Sequence, residues 1–262
     1  MSSDDVPVFH LKPSLIDLVK RGEAAPVIHY LEKNPEEINQ SDDHGFFPIH
    51  HAIQEKQAEL IVILLEYGAS LGQMAPQNVS PFMLAALHGM SAHLDLSFID
   101  ESRLFQVDDG GNSLCHYLAF NGDTEQWKLF DIPVKEIIRQ NNSGKSPLQL
   151  MIEEENSALF SVTLNEALVQ KELNVSVNKF LNVCIRSGSS NVLSALLSFG
   201  GQSDERWNEL IEQCCVLEKP TCLSLLLDHG KEQKMQIDSN RLKAVPSGLI
   251  TPEIDTILNS YL

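Results

Sequence analysis

Positive charge is in short supply along this chain. Its 262 residues carry 19 Lys and Arg against 36 Asp and Glu, a formal net charge of −17. Phosphate backbones are held by a basic stripe, which such a balance does not supply. Anionic bilayers are likewise met by clustered lysines and arginines. Neither nucleic acid nor membrane is therefore an expected partner, whereas a protein with a basic surface would be drawn to the chain. No apolar run is long enough to span a bilayer. The opening residues Met1-Ser2-Ser3-Asp4-Asp5 are acidic where a signal peptide is basic, so a cytoplasmic protein without a leader is expected.

Chemistry is short of parts too. The five cysteines (Cys115, Cys184, Cys214, Cys215 and Cys222) are odd in number and lack the spacing of a disulfide scaffold. Buried free thiols in a reducing compartment are expected. Cys214-Cys215 with Cys222 lacks the paired C-x2-C of a zinc site, and His50-His51 are adjacent on one helix and diverge. Gly144-Lys145-Ser146 resembles the end of a phosphate-binding loop, but Arg139 stands where the second glycine belongs. Cys115 and His116 are neighbours on one helix start and cannot face each other as nucleophile and base. No catalytic residue, metal or cofactor is expected.

What the chain does have is a period. Gly45-Phe46-Phe47-Pro48-Ile49-His50, Asn78-Val79-Ser80-Pro81-Phe82-Met83, Gly111-Asn112-Ser113-Leu114-Cys115-His116 and Gly144-Lys145-Ser146-Pro147-Leu148-Gln149 follow one another at steps of 33 residues. One step back falls Leu15, heading Leu15-Ile16-Asp17-Leu18-Val19, and one step on falls Phe180. Leucine pairs recur at 64–65, 196–197 and 226–227, the last implying a unit start near Leu210. A fixed period of this size marks a stacked repeat in which no unit buries its own apolar face. Proline at the first helical position costs no hydrogen bond. Ser80, Ser113 and Ser146 before it are N-cap candidates, and Gly68 and Gly200 are candidate left-handed C-caps.

The pattern resembles the ankyrin repeat over roughly residues 13–230. Gly45 through Ala52 is similar to the family's finger and first helix, and Leu64 through Ala69 to its second-helix end. Asn121-Gly122-Asp123 and Ser187-Gly188-Ser189 are similar to its inter-helix turn, and His50 and His116 hold its structural histidine position. There are departures: Phe47 replaces the capping Thr, Leu114 replaces Pro, residues 92–99 read as an irregular second helix, and Pro133 breaks the helix after Trp127-Lys128-Leu129-Phe130. The resemblance implies an all-α solenoid of about six to seven helix-turn-helix units. A lead-in at 1–12 would precede it, and a polar loop with a C-terminal capping helix at 231–262 would follow.

The same resemblance implies function. Ankyrin proteins bind partners along the concave face formed by finger tips and first-helix ends. Carried onto this chain, that face holds Asp43, His44, Phe46, Gln54, Glu55, Leu87, His88, Asp109, Asn112, Phe120, Asn121, Lys145, Glu153, Glu154 and Arg186. Phe46, Leu87 and Phe120 are the apolar anchor candidates. Leu31 eight residues before Asn39, with Glu37 and Ile38 between, is similar to the site of the ankyrin-directed asparaginyl hydroxylase, while Asn39 also reads as a turn residue bonded to backbone. The expected protein is a non-catalytic interaction scaffold, monomeric on its own. The competing reading is an enzyme or enzyme regulator with a site in the degenerate stretch 86–140. Degenerate, Asn- and Gln-rich units also resemble ankyrin effectors of intracellular bacteria, which would place the chain in a host-cell cytosol.

Overall fold

Proline at 48, 81 and 147 each opens a helix, and the period carries the same start to Leu15 and Leu114. In the computed structural model, which describes residues 13–94, 105–165, 177–198, 204–238, 245 and 250–261, these helices are α1 (Leu15–Arg21), α3 (Pro48–Gln54), α5 (Pro81–His88), α6 (Leu114–Asn121) and α9 (Pro147–Glu153). Their second-helix partners are α2 (Ala24–Leu31), α4 (Ala58–Glu66), α7 (Thr124–Lys128) and α10 (Ser157–Asn165). Later helices are α11 (Val177–Ser187), α12 (Ser190–Leu197), α13 (Asp204–Val216), α14 (Pro220–Glu232) and α15 (Pro252–Tyr261), with a short α8 (Val134–Ile137) after Pro133. Sheet among the described residues amounts to isolated bridges inside the fingers, Ala75 with Val79 and Val107 with Ser113. The fold is an all-α repeat of helix pairs.

The chain divides into two compact units, Met1–Tyr117 and Leu118–Leu262. Within the first, α1 packs on α3 and α3 on α5, while α2 packs on α4. Within the second, α9, α11 and α13 pack in that order, as do α10, α12 and α14, and α15 covers α14. Each row buries leucines against the next: Leu64, Leu196, Leu226 and Leu227 are all at most 1 % exposed. The last helix lays Ile254 and Leu258 into the core and is tied at its end by Tyr261, whose hydroxyl donates to Asp228.

Four helix starts show how one local problem is solved with different residues. Ser146 Oγ accepts from Gln149 N–H at 3.3 Å, and Gln149 Oε1 accepts from Ser146 N–H at 2.9 Å, a full capping box. Phe47 has no acceptor to offer, so only the return half survives, with His50 Nδ1 accepting from Phe47 N–H at 3.3 Å. His116 Nδ1 does the same for Ser113 N–H at 3.1 Å. Ser80 supplies the other half alone, accepting from Met83 N–H at 3.2 Å.

The fingers are closed by a residue column that precedes the exposed tip by one position. Asp42, Asp108 and Asn141 lie 66 and 33 residues apart, at multiples of the period, and their Oδ1 atoms accept from Phe46, Asn112 and Lys145 N–H at 2.9, 2.7 and 3.0 Å. Neighbouring repeats are also stitched in register: Asn156 Nδ2 donates to Ala119 O at 2.8 Å and Ser189 Oγ to Ile152 O at 2.6 Å, each 37 residues back.

The turn between paired helices requires a left-handed residue at a fixed place. Lys56, Gly89, Gly122, Glu155 and Gly188, each 33 apart, have φ of 55, 79, 78, 56 and 82°. A side chain there costs about 1–2 kcal/mol, partly offset by the greater unfolded freedom of glycine. Glu155→Gly is therefore expected to raise stability by up to about 1 kcal/mol, read as a higher urea midpoint at unchanged slope. An unchanged or lower midpoint would show that the Glu155 side chain has a compensating role.

Two helices start where the period does not put them. The sixth first helix, α11, begins at Val177, not at Phe180, and α13 begins at Asp204, well before Leu210. Both are already helical at the first described residue of their segment, ahead of the positions that the period gives. The irregular second helix expected at 92–99 is a short 3-10 turn at Ser91–His93, and its remainder, Asp95–Ile99, lies outside the described residues, as do Gly200 and the lead-in 1–12.

Candidate partner-binding surface

In the first unit, the Asp42 anchor leaves Asp43 and His44 exposed at the finger tip. Asp42 Oδ2 also receives His51 Nε2 at 2.9 Å, tying finger to helix. Burial pushes the Asp42 carboxyl up, but the Phe46 N–H, His51 and the His44 N–H more than offset it, and its pKa lies below the usual value. Phe46 is half-buried, not freely exposed, because its ring packs 5.7 Å from His51 and 6.3 Å from His50. At the ends of α3 and α5, Gln54, Leu87 and His88 are half-buried and Glu55 is exposed. His88 is shifted down by burial and by Lys56, with Glu55 opposing.

Asp109 is exposed, yet it links fingers: its N–H donates to Gln77 O at 2.9 Å and its Oδ1 accepts from Asn78 Nδ2 at 2.7 Å. Asn112 is folded back on Asp108 by its own side-chain amide at 3.0 Å. Asn39 has the backbone-bonding geometry of a turn residue. Its Nδ2 donates to Gly68 O at 3.0 Å and its Oδ1 accepts from Ser70 N–H at 2.8 Å.

In the second unit, Phe120 is 52 % exposed at the end of α6 and Glu154 is exposed at the end of α9. Asn121 is spent on the inter-helix turn, accepting from Asp123 N–H at 3.2 Å and Gln126 Nε2 at 3.0 Å. Lys145 and Glu153 neutralise each other at 2.6 Å. Arg186 stands exposed on the wall of a groove of about 670 Å³ between α11 and α13, with Gln149 of α9 at one side. Of the groove residues, Arg186 is the one on the sequence-derived surface. Lys179, Asn182, Glu209, Val216 and Leu217 were missed, because the face that α13 presents depends on where that helix begins.

The degenerate stretch holds no exposed thiol among its described residues. Cys115 is fully buried, and His116 Nδ1 is met by both the N–H and the Oγ of Ser113, at 3.1 and 3.0 Å. The Asp108 carboxylate is bonded by Asn112 and by the Tyr117 hydroxyl at 2.7 Å. All five cysteines are free and buried. Burial raises the Cys184 and Cys214 thiols far above the usual range and Cys215 to about 11.

No protein-family model matches the chain. Over 74 residues, 28% of its length, the chain is 30% identical to the 2-5A-dependent ribonuclease of Mus musculus, an ankyrin-repeat-containing protein. The matched segment spans 10% of that ribonuclease. A match a little over two 33-residue periods long agrees with the repeat of helix pairs. Among the described residues no helix is long and apolar enough to cross a membrane.

Proposed function

We propose that the chain is a non-catalytic protein-interaction module that engages a protein partner through its finger tips and first-helix ends. The supporting observation is that Asp43, His44, Glu55, Phe120, Glu154 and Arg186 are exposed where the repeat could have buried them. With a net charge of −17, a partner surface of basic character is favoured in the encounter. The burial of Cys115 and the engagement of His116 favour this reading over an enzyme in 86–140. The five buried free thiols accord with a cytosolic setting, a host cytosol if the chain is a bacterial effector.

The test begins with a partner captured from a eukaryotic lysate on the immobilised chain, then used in binding kinetics. Combined Asp43→Asn, Glu55→Gln, Glu153→Gln and Glu154→Gln is expected to slow association and flatten its salt dependence. Charge steering acts on the encounter and is screened beyond about 8 Å at physiological salt. Phe120→Ala is expected to speed dissociation by the equivalent of about 1–2 kcal/mol if the ring is an anchor. Wild-type kinetics in both variants would place the interaction on another surface.

A further inference from the structure

Of the ten residues of α15, Ile254 and Leu258 alone are buried, whereas α12 buries four of its eight. The main neighbour of α15 is α14, while α12 lies between α10 and α14. A helix of ten residues is marginal in water by itself, so α15 depends on its docking. Most of its side-chain hydrogen bonds do nothing for that docking. Thr251 Oγ1 accepts from Ile254 N–H at 3.4 Å, Thr256 Oγ1 donates to Pro252 O at 2.7 Å, and Ser260 Oγ donates to Ile257 O at 2.7 Å. All three close within the helix or its first turn. Among the described residues, Tyr261 alone carries the polar links from α15 to another helix. Its hydroxyl donates to the Asp228 carboxylate, and Lys231 Nζ lies 3.8 Å from the centre of its ring. Asp228 and Lys231 stand three residues apart on α14, on one face of that helix. The three side chains make a clasp at the C-terminal end of α15. The bond to Asp228 raises the pKa of Tyr261, which keeps the hydroxyl protonated as the donor.

We infer that α15 is a detachable cap, which opens from α14 and closes on it while the rest of the second unit stays folded, with the Tyr261 clasp setting the balance. Elements with few buried apolar contacts open at a lower free-energy cost than the whole domain. With two side chains buried, α15 gains little from apolar contact, so a small polar contribution decides how much of the time it is docked. The clasp supplies two such contributions. An ionised acceptor strengthens the hydroxyl bond, and an ammonium group is attracted by the face of a phenol ring. Opening lets water reach Ile254, Leu258 and the part of α14 they cover, so the clasp also controls how often the chain shows apolar surface at this end. The inference is independent of where a partner binds.

The test is native-state hydrogen exchange of the full chain, read by mass spectrometry on peptides covering α12, α14 and α15 and corrected for intrinsic rates. In the wild type, α15 amides are expected to exchange faster than those of α12 and α14. Tyr261→Phe removes the hydroxyl and keeps the ring, and should speed α15 exchange about tenfold. Lys231→Met should speed it about threefold. Ser260→Ala, which removes a bond internal to α15, should not speed it. Asp228→Ala should speed α15 exchange in the wild type but add little to Tyr261→Phe, because both remove one bond. Exchange in α12 should be the same in all these chains. The inference is overturned if α15 is protected as strongly as α14 in the wild type, if Tyr261→Phe leaves α15 exchange unchanged, or if it speeds α12 by the same factor. Full additivity of Asp228→Ala and Tyr261→Phe would likewise overturn it, since the two residues would then not act through one clasp.

Discussion

Leu64→Ala should cost about 2–5 kcal/mol of stability, while Val62→Ala, two residues away on the same helix, should stay within about 0.5 kcal/mol. Both residues sit in α4, and both are aliphatic with good access to the helical conformation. They differ in what surrounds them. Leu64 is 0 % exposed, on the helix that packs against α2 and α3, whereas Val62 is 44 % exposed. Truncating Leu64 removes apolar surface from water-free surroundings and leaves a void that the neighbouring helices fill only in part. A repeat unit has no core of its own, so the void weakens an interface between units as well as the unit itself. Urea unfolding of the two variants against wild type reads the contrast directly. Equal midpoints would mean that the second-helix row does not bury what its leucine pairs imply. Leu197→Ala, at 4 % exposure in α12, repeats the test in the second unit.

What the sequence disclosed and what it hid follow from the range of each interaction. Helix starts at 48, 81, 114 and 147 were readable because proline and serine act on the turn they occupy. At 177 and 204 no proline marks the first helical position, and the period alone misplaced the start. The finger anchors illustrate a different blindness. Asp42-Asp43 and Asp108-Asp109 are pairs of identical residues, and only the hydrogen bonds to Phe46 and Asn112 N–H separate the anchor from the tip. Phe46 reads as a variable finger residue, but His50 and His51 beneath it provide a ring surface that half-buries it. The groove was hidden for a tertiary reason. Arg206 pairs locally with Glu209, but its bond from α13 to Asn182 on α11 has no local pattern to announce it.

Acid should destabilise the wild-type chain more than His50→Gln, by about 2 kcal/mol between pH 7 and pH 5. His50 is 0 % exposed, and burial, helped by the neighbouring His51, lowers its pKa from 6.5 to about 4. Its Nδ1 must stay unprotonated to accept from Phe47 N–H at 3.3 Å. Its Nε2 faces the Gln73 backbone of the next finger without closing a bond of ordinary geometry, so protonation gains no strong partner in return. The sign follows from which state takes up the proton. Above pH 6.5 the ring is neutral folded and unfolded, and its contribution is fully present. Between 6.5 and about 4 the unfolded chain binds a proton that the folded chain refuses, so stability falls as pH falls through that window. His51 and His88, also lowered mainly by burial, pull the same way, which is why the comparison is with a variant. Asp17, Asp42 and Asp108 are held below 3.8 and lose their contribution only at lower pH, outside this window. Glutamine is the substitution the repeat itself recommends. At the equivalent place, 99 residues on, Gln149 Oε1 accepts from Ser146 N–H at 2.9 Å with no titrating group. Urea midpoints of both chains at pH 7, 6 and 5 give the difference. Parallel pH dependences would show that His50 is not the acid-sensitive group, and attention would pass to the His51–Asp42 pair that closes the finger above it.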